Sequence, residues 1–231
     1  MLIVANWKCN PTNSKKVDSL LQIKEGGDNA EVVICPPFLY LSQVKDSIKN
    51  KNIKLGAQDC FWENEGSYTG EVSPLMLSNL DCEYVIVGHS ERRKYFKEDS
   101  VIINKKIKKA LENNLKVILC VGETEKEREE SRTFEILKEQ IKKALNGIEE
   151  KVIIAYEPLW AIGSGNNCEP EEAEKVAEFI KEEIDTKVLY GGSVDKSNAS
   201  YYLDKKIDGL LIGGASLDSD QFSAIINMAK E

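Results

Sequence analysis

Apolar residues fall along this chain in eight short, nearly continuous runs, at 2–5, 32–35, 53–57, 84–87, 117–121, 152–156, 188–190 and 210–212. Each is rich in β-branched residues and too short for a buried helix. That is the signature of parallel strands covered on both faces. Between the runs the period changes to that of a helix. Ala173, Val176, Ala177, Ile180 and Ile184 make one apolar stripe, introduced by Pro170 at its start and by Glu171 and Glu172 in the first turn. Phe134, Leu137, Ile141, Ala144 and Leu145 make another, which stops before Gly147. Eight alternations of strand and helix predict an α/β fold, and eight is the number that closes a (β/α)8 barrel. A doubly wound open sheet shares the alternation, but no GxGxxG follows the first strand. No linker or break in composition interrupts the pattern, so residues 1–231 are expected to form one barrel domain.

Composition narrows the class of partner. The 231 residues are 42% hydrophobic and 30% charged, with 31 basic and 39 acidic side chains giving a net charge of −8. Nucleic-acid binding needs a clustered basic face, which this balance argues against. The pairs Lys105–Lys106 and Lys108–Lys109 fall on a helical pattern and are expected on a solvated face. Six cysteines form no CxxC pair and accompany a single histidine, so the usual zinc spacings are missing and no metal is expected. Cys35 and Cys120 end apolar runs, where free thiols act as small hydrophobes. No apolar run approaches the ~20 residues of a membrane span. With a strand starting within two residues of Met1, no signal peptide is expected, and the chain reads as cytoplasmic.

In a barrel of this kind the carboxyl ends of the strands converge on one face. The first run ends in Asn6-Trp7-Lys8, which brings an ammonium there to balance an anionic substrate. The fourth ends in Gly88-His89-Ser90-Glu91-Arg92-Arg93. His89 stands before a helix-forming run, whose positive end is expected to depress its pKa and keep the imidazole neutral. The sixth ends in Glu157, followed by rigid Pro158, apolar Trp160 and Ile162, and then Gly163 and Gly165. A carboxylate, a stiff hinge, an apolar loop and glycines are the parts of a catalytic base under a water-excluding lid. Tyr190-Gly191-Gly192-Ser193 and Gly213-Gly214-Ala215-Ser216 close the last two runs. Glycine turns there let backbone N–H groups approach a phosphate.

The segments ANWKCN, GHSERR, AYEPLWAIGSG, YGGSV and GGASL, in this order and spread over the whole chain, resemble the triosephosphate isomerase family. The resemblance implies interconversion of dihydroxyacetone phosphate and glyceraldehyde 3-phosphate through an enediolate, without a cofactor. It casts Glu157 as the base, His89 as the neutral electrophile and Lys8 as the stabilising cation, with Asn6 beside the lysine and Glu91 supporting it. Gly163, Ser193, Gly213 and Gly214 would hold the phosphate, and Tyr190 with Ser193 would latch the lid. The stretch from Gln58-Asp59 to Glu71 resembles the family's third loop, in which Thr69 would enter a partner's active site. A homodimer is therefore implied, with a tetramer as the alternative for so short a chain. Departures from the family's usual residues are Cys9 for methionine, Asp59 for asparagine, Ser164 for threonine, and Asn166-Asn167-Cys168 for a hinge that begins with lysine. Two other classes share the phosphate turns: a non-catalytic phosphate-binding barrel and a sugar-phosphate lyase or epimerase. A binder needs no base aimed at a carbon acid, and a metal-dependent epimerase needs more histidines.

Overall fold

The computed structural model describes residues 1–23, 30–48, 52–161, 167–203 and 205–229. Eight parallel strands close on themselves in sequence order: β1 (Leu2–Asn6), β2 (Glu31–Cys35), β3 (Ile53–Ala57), β4 (Tyr84–Val87), β5 (Lys116–Val121), β6 (Ile153–Tyr156), β7 (Val188–Tyr190) and β8 (Gly209–Ile212). Closure is made by β1 against β8, where Leu2 pairs with Gly209 and Ala5 with Ile212. The open-sheet alternative is thereby excluded. Gly209 is needed at that seam, since a Cβ on it would lie 1.9 Å from the Leu2 carbonyl oxygen.

The helices on the outside are α1 (Lys15–Leu20), α2 (Leu41–Ile48), α3 (Pro74–Asn79), α4 (Ser90–Phe96), α5 (Ser100–Glu112), α6 (Glu125–Glu129), α7 (Thr133–Ala144), α8 (Pro170–Glu183), α9 (Ala199–Leu203) and α10 (Ser219–Met228). Alternation along the strands creates two apolar layers. Leu2, Val4, Val33, Ile86, Ile118 and Leu189 belong to the cluster made of strand residues alone, which fills the barrel. Their neighbours Ile3, Val32, Val85, Val117 and Val188 join the helices in the outer core. Both faces of each strand are thus covered, which is why the runs read as continuous.

Helix ends follow local chemistry. Pro170 opens α8 as expected, and Thr124 and Glu127 form a capping box on α6. The expected stripe of α8 is buried from Ala173 to Ile180, while Ile184 turns extended and ends the helix. Two expectations need correction. Phe134 is 45% exposed and stacks on Phe179 with ring centroids 4.8 Å apart, leaving its place on the inner face of α7 to Ile136. Lys106 is only 2% exposed, because two carboxylates meet its ammonium on the barrel side of α5. Charge alone did not distinguish it from the exposed Lys105 and Lys108. All six cysteines are free thiols, with only Cys9 exposed. No described helix is long and apolar enough to cross a membrane.

Candidate active site

At the carboxyl end of β1, Asn6 is buried and its Oδ1 accepts from the Lys8 N–H at 3.0 Å. Lys8 holds a left-handed φ of 52°, a costly conformation for a side chain of this kind. Gln58 supports it by donating to the carbonyls of Lys8 and Cys35, both at 2.9 Å. The Lys8 ammonium reaches Oε1 of Glu91 at 2.7 Å. Lys8 and Glu91 thus form an ion pair at this end of the barrel.

His89 caps α4. Its Nδ1 accepts from the Glu91 N–H at 3.2 Å, so the ring's proton belongs on Nε2. Nε2 lies 3.1 Å from Oε1 of Glu157, and the other carboxylate oxygen accepts from the Ser90 N–H at 3.2 Å. Burial pulls the His89 pKa down, but the adjacent Glu157 carboxylate outweighs it, and the net direction is upward. The depressed pKa expected from the helix end is thus not found in this pairing. Only the local contribution of that end is present, in the Glu91 N–H aimed at Nδ1. Burial alone would push the Glu157 pKa up, yet His89, the Ser90 N–H and Lys8 hold it below the ordinary carboxylate range. The site therefore carries an ionised carboxylate with almost no exposure to water.

Across the mouth stand the turns after β7 and β8. Asn6, Lys8, His89, Glu157, Ser193, Gly213 and Gly214 line one cavity of about 350 Å³, together with Gly191, Gly192, Asn198 and Gln221. Gly191 has no room for a side chain, since a Cβ would sit 2.9 Å from Cγ of Glu157. Gly214 borders open space and begins a short 3-10 turn, Gly214–Leu217.

Both described ends of the apolar loop are tied down. Ser193 Oγ donates to the Ala161 carbonyl at 2.6 Å, and the Cys168 N–H donates to the Tyr190 hydroxyl at 3.2 Å. Trp160 Nε1 donates to Glu123 at 3.0 Å, and the Arg128 guanidinium lies 3.9 Å above the Trp160 ring. Pro158 is buried directly after Glu157. Ile162, Gly163 and Gly165 lie outside the described residues. Thr69 is exposed in a turn of the β3–α3 loop, far along the sequence from the residues around Lys8.

Several contributors escaped the sequence reading. Glu123 follows β5 and gathers Tyr156 and Trp160 on one buried oxygen. Its position after Val-Gly at a strand end was the available signal. Arg93 bridges the carbonyls of Gly88 at 2.7 Å and Cys120 at 3.0 Å, joining the ends of β4 and β5. Nothing in its sequence position separates it from the half-exposed Arg92.

A closed (β/α)8 barrel with an ionised carboxylate, a histidine and a lysine in its strand-end mouth belongs to the class of barrel enzymes that handle small anionic substrates. The triosephosphate isomerase family profile matches residues 1–229. Relatives named triosephosphate isomerase include that of Dictyoglomus turgidum, 47% identical over 97% of this chain and 98% of the relative. That of Alkaliphilus oremlandii is 44% identical over 98% of each, and that of Aquifex aeolicus 45% identical over 97% and 98%. The chain belongs to the triosephosphate isomerase family.

Proposed function

We propose that this chain interconverts dihydroxyacetone phosphate and D-glyceraldehyde 3-phosphate, a step of glycolysis and gluconeogenesis, as one catalytic domain over residues 1–231. The observation that carries the reading is the 3.1 Å approach of His89 Nε2 to Glu157 Oε1 in the cavity rimmed by the β7 and β8 turns. Glu157 removes a proton from the carbon beside the carbonyl, and the Nε2–H of His89 donates to the carbonyl oxygen. The resulting enediolate is balanced by Lys8, which Glu91 and Asn6 hold in place. His89 gives its Nε2 proton to the former carbonyl oxygen and takes up the proton of the neighbouring hydroxyl, and Glu157 returns its proton to the adjacent carbon, so the balance closes with these residues alone.

A carbonyl that accepts from Nε2 displaces Glu157 from that proton. The hydrogen bond to Glu157 that raises the His89 pKa is then lost, while burial, Lys8 and the Glu91 N–H continue to favour neutral imidazole. Phosphate is held by N–H groups of Ser193, Gly213 and Gly214, with Gly163 of the lid completing the cradle. Tyr190 and Ser193 serve as lid latches, a role supported by their bonds to Cys168 and Ala161.

The working form is a homodimer. Leu39, Met76, Tyr95 and Phe96 are strongly exposed apolar residues, and a second cavity of about 270 Å³ lies between Lys8, Cys9, Phe38, Gln58 and Phe96. Thr69 of a partner subunit is suited to enter it. The enzyme is cytoplasmic. A coupled assay with glyceraldehyde 3-phosphate, free of added metal and nucleotide, tests the activity. Incorporation of solvent deuterium at the carbon between carbonyl and hydroxyl tests the proton transfer. Turnover with no solvent deuterium in the product and no loss of rate in Glu157→Gln would require a different mechanism, and a preparation without turnover would leave a phosphate-binding barrel.

A further inference from the structure

The inner face of α7 is apolar at Ile136, Leu137, Ile141 and Ala144, yet Gln140 shares that face. Its amide makes two bonds to one residue: Oε1 accepts from the Gly122 N–H at 3.0 Å, and Nε2 donates to the Gly122 carbonyl at 2.9 Å. A primary amide presents a donor and an acceptor together in this way.

The barrel explains why Gly122 needs them. Pairing of β5 with β4 ends at Leu119, opposite Val87, whereas pairing with β6 continues to Val121, opposite Tyr156. Beyond Leu119, β5 has an edge with no strand beside it. Successive residues of a strand aim their polar groups to opposite sides. Val121 faces β6, and its carbonyl accepts from the Glu157 N–H at 2.7 Å. Cys120 and Gly122 face the missing strand. Arg93 fills the place opposite Cys120, and Gln140 fills the place opposite Gly122.

Gly122 in turn touches the backbone of the base. A Cβ there would lie 1.8 Å from the Glu157 carbonyl oxygen. Residues 121–123 also hold the chain on both sides of Pro158, since Leu159 N–H donates to the Glu123 carbonyl at 3.0 Å. We propose that Gln140 is a positioning residue for Glu157, fixing through Gly122 the backbone from which the base reaches substrate. The proposal rests on Glu157 being the base.

Gln140→Met keeps the length of the side chain and removes both bonds. A base set out of line by a fraction of an ångström loses rate rather than substrate affinity. The variant is expected to lower kcat by about tenfold or more, while KM and inhibition by inorganic phosphate stay near wild type. The phosphate turns follow β7 and β8, two and three strands away from β5. In a Glu157→Gln background the same substitution is expected to cost nothing further, because there is no base left to misplace. Thermal unfolding of each variant sets an assay temperature at which all are folded. A lowered Tm with unchanged kcat would make Gln140 merely structural and overturn the proposal. An equal loss in both backgrounds would also overturn it, by showing that Gln140 does not act through Glu157. Wild-type turnover by Glu157→Gln alone would instead sink the reading of Glu157 as base.

Discussion

Helix α4 stands between two clusters of charge that are alike in composition and differ in setting. On one side Glu91 faces Lys8 and His89, with Glu157 beyond. On the other, Arg92 Nε meets Asp59 at 2.9 Å and Glu98 at 2.6 Å, and Lys106 meets the same two carboxylates at 2.7 and 2.6 Å. Each cluster holds two acids and two basic groups. The second has a lysine with full ionic partnership on both sides and ties the β3–α3 loop to α4 and α5. The first opens on a cavity, and its central contact is between a histidine and a carboxylate. Burial and charge do not by themselves mark an active site. What distinguishes the first cluster is a proton held between two groups at the wall of a cavity.

The comparison is broken most severely at Glu157. Glu157→Gln is expected to keep the fold and phosphate binding while kcat falls by about 10²–10⁴-fold, the range for loss of a general base. Retention of a tenth of wild-type turnover would place Glu157 with the structural charges rather than the reacting ones.

Lys106→Met is the counterpart in the second cluster. Stranding Asp59 and Glu98 without their shared cation is expected to lower unfolding stability by about 3–5 kcal/mol, measured by denaturant titration. Molecules that remain folded should still turn over at a rate near wild type. A large fall in their kcat would erase the distinction between the clusters.

His89→Gln should act on the transition state more than on ligand affinity. A kcat lower by roughly 10²–10³-fold is expected, as for loss of a donor to developing negative charge. NMR titration sharpens the point: with phosphoglycolate bound at pH 7 the imidazole should be neutral. A protonated ring there would end the neutral-electrophile role.

The smallest effect is a slope. Burial pushes the Asp59 pKa up to about 6, against the opposing pull of Lys106 and Arg92. An acid with a raised folded pKa takes up protons on folding, so its contribution favours the native state at low pH and is lost as pH rises from about 4 to about 6. Asp59→Asn cannot titrate, and its stability profile should lack that decline. Glu157 is shifted the other way, and its contribution is present above its unfolded pKa and lost as pH falls. Identical profiles for Asp59→Asn and wild type between pH 4 and 6 would show that Asp59 titrates normally.

Much of the molecule was legible before folding. The runs before Lys8, His89 and Glu157 and those ending in Tyr190 and Ile212 are strands, and the residues after them meet in one mouth because parallel strands of a closed barrel all end on the same side. Pro170 marked a helix start for a reason confined to its own backbone. Lys106 and Phe134 were not legible in this way. Each is misplaced by periodicity because a partner more than 40 positions away sets its environment: Asp59 for Lys106, Phe179 for Phe134.

The sequence by itself determined the alternation of strand and helix, the number of units and which chemical groups stand at strand ends, since these depend on local propensity and on period. Tertiary structure alone decided that β1 meets β8, that Lys106 is buried while Lys105 is not, and that the His89 pKa moves up rather than down. Those outcomes depend on distances between segments, and burial and Coulomb interactions act through space rather than along the chain.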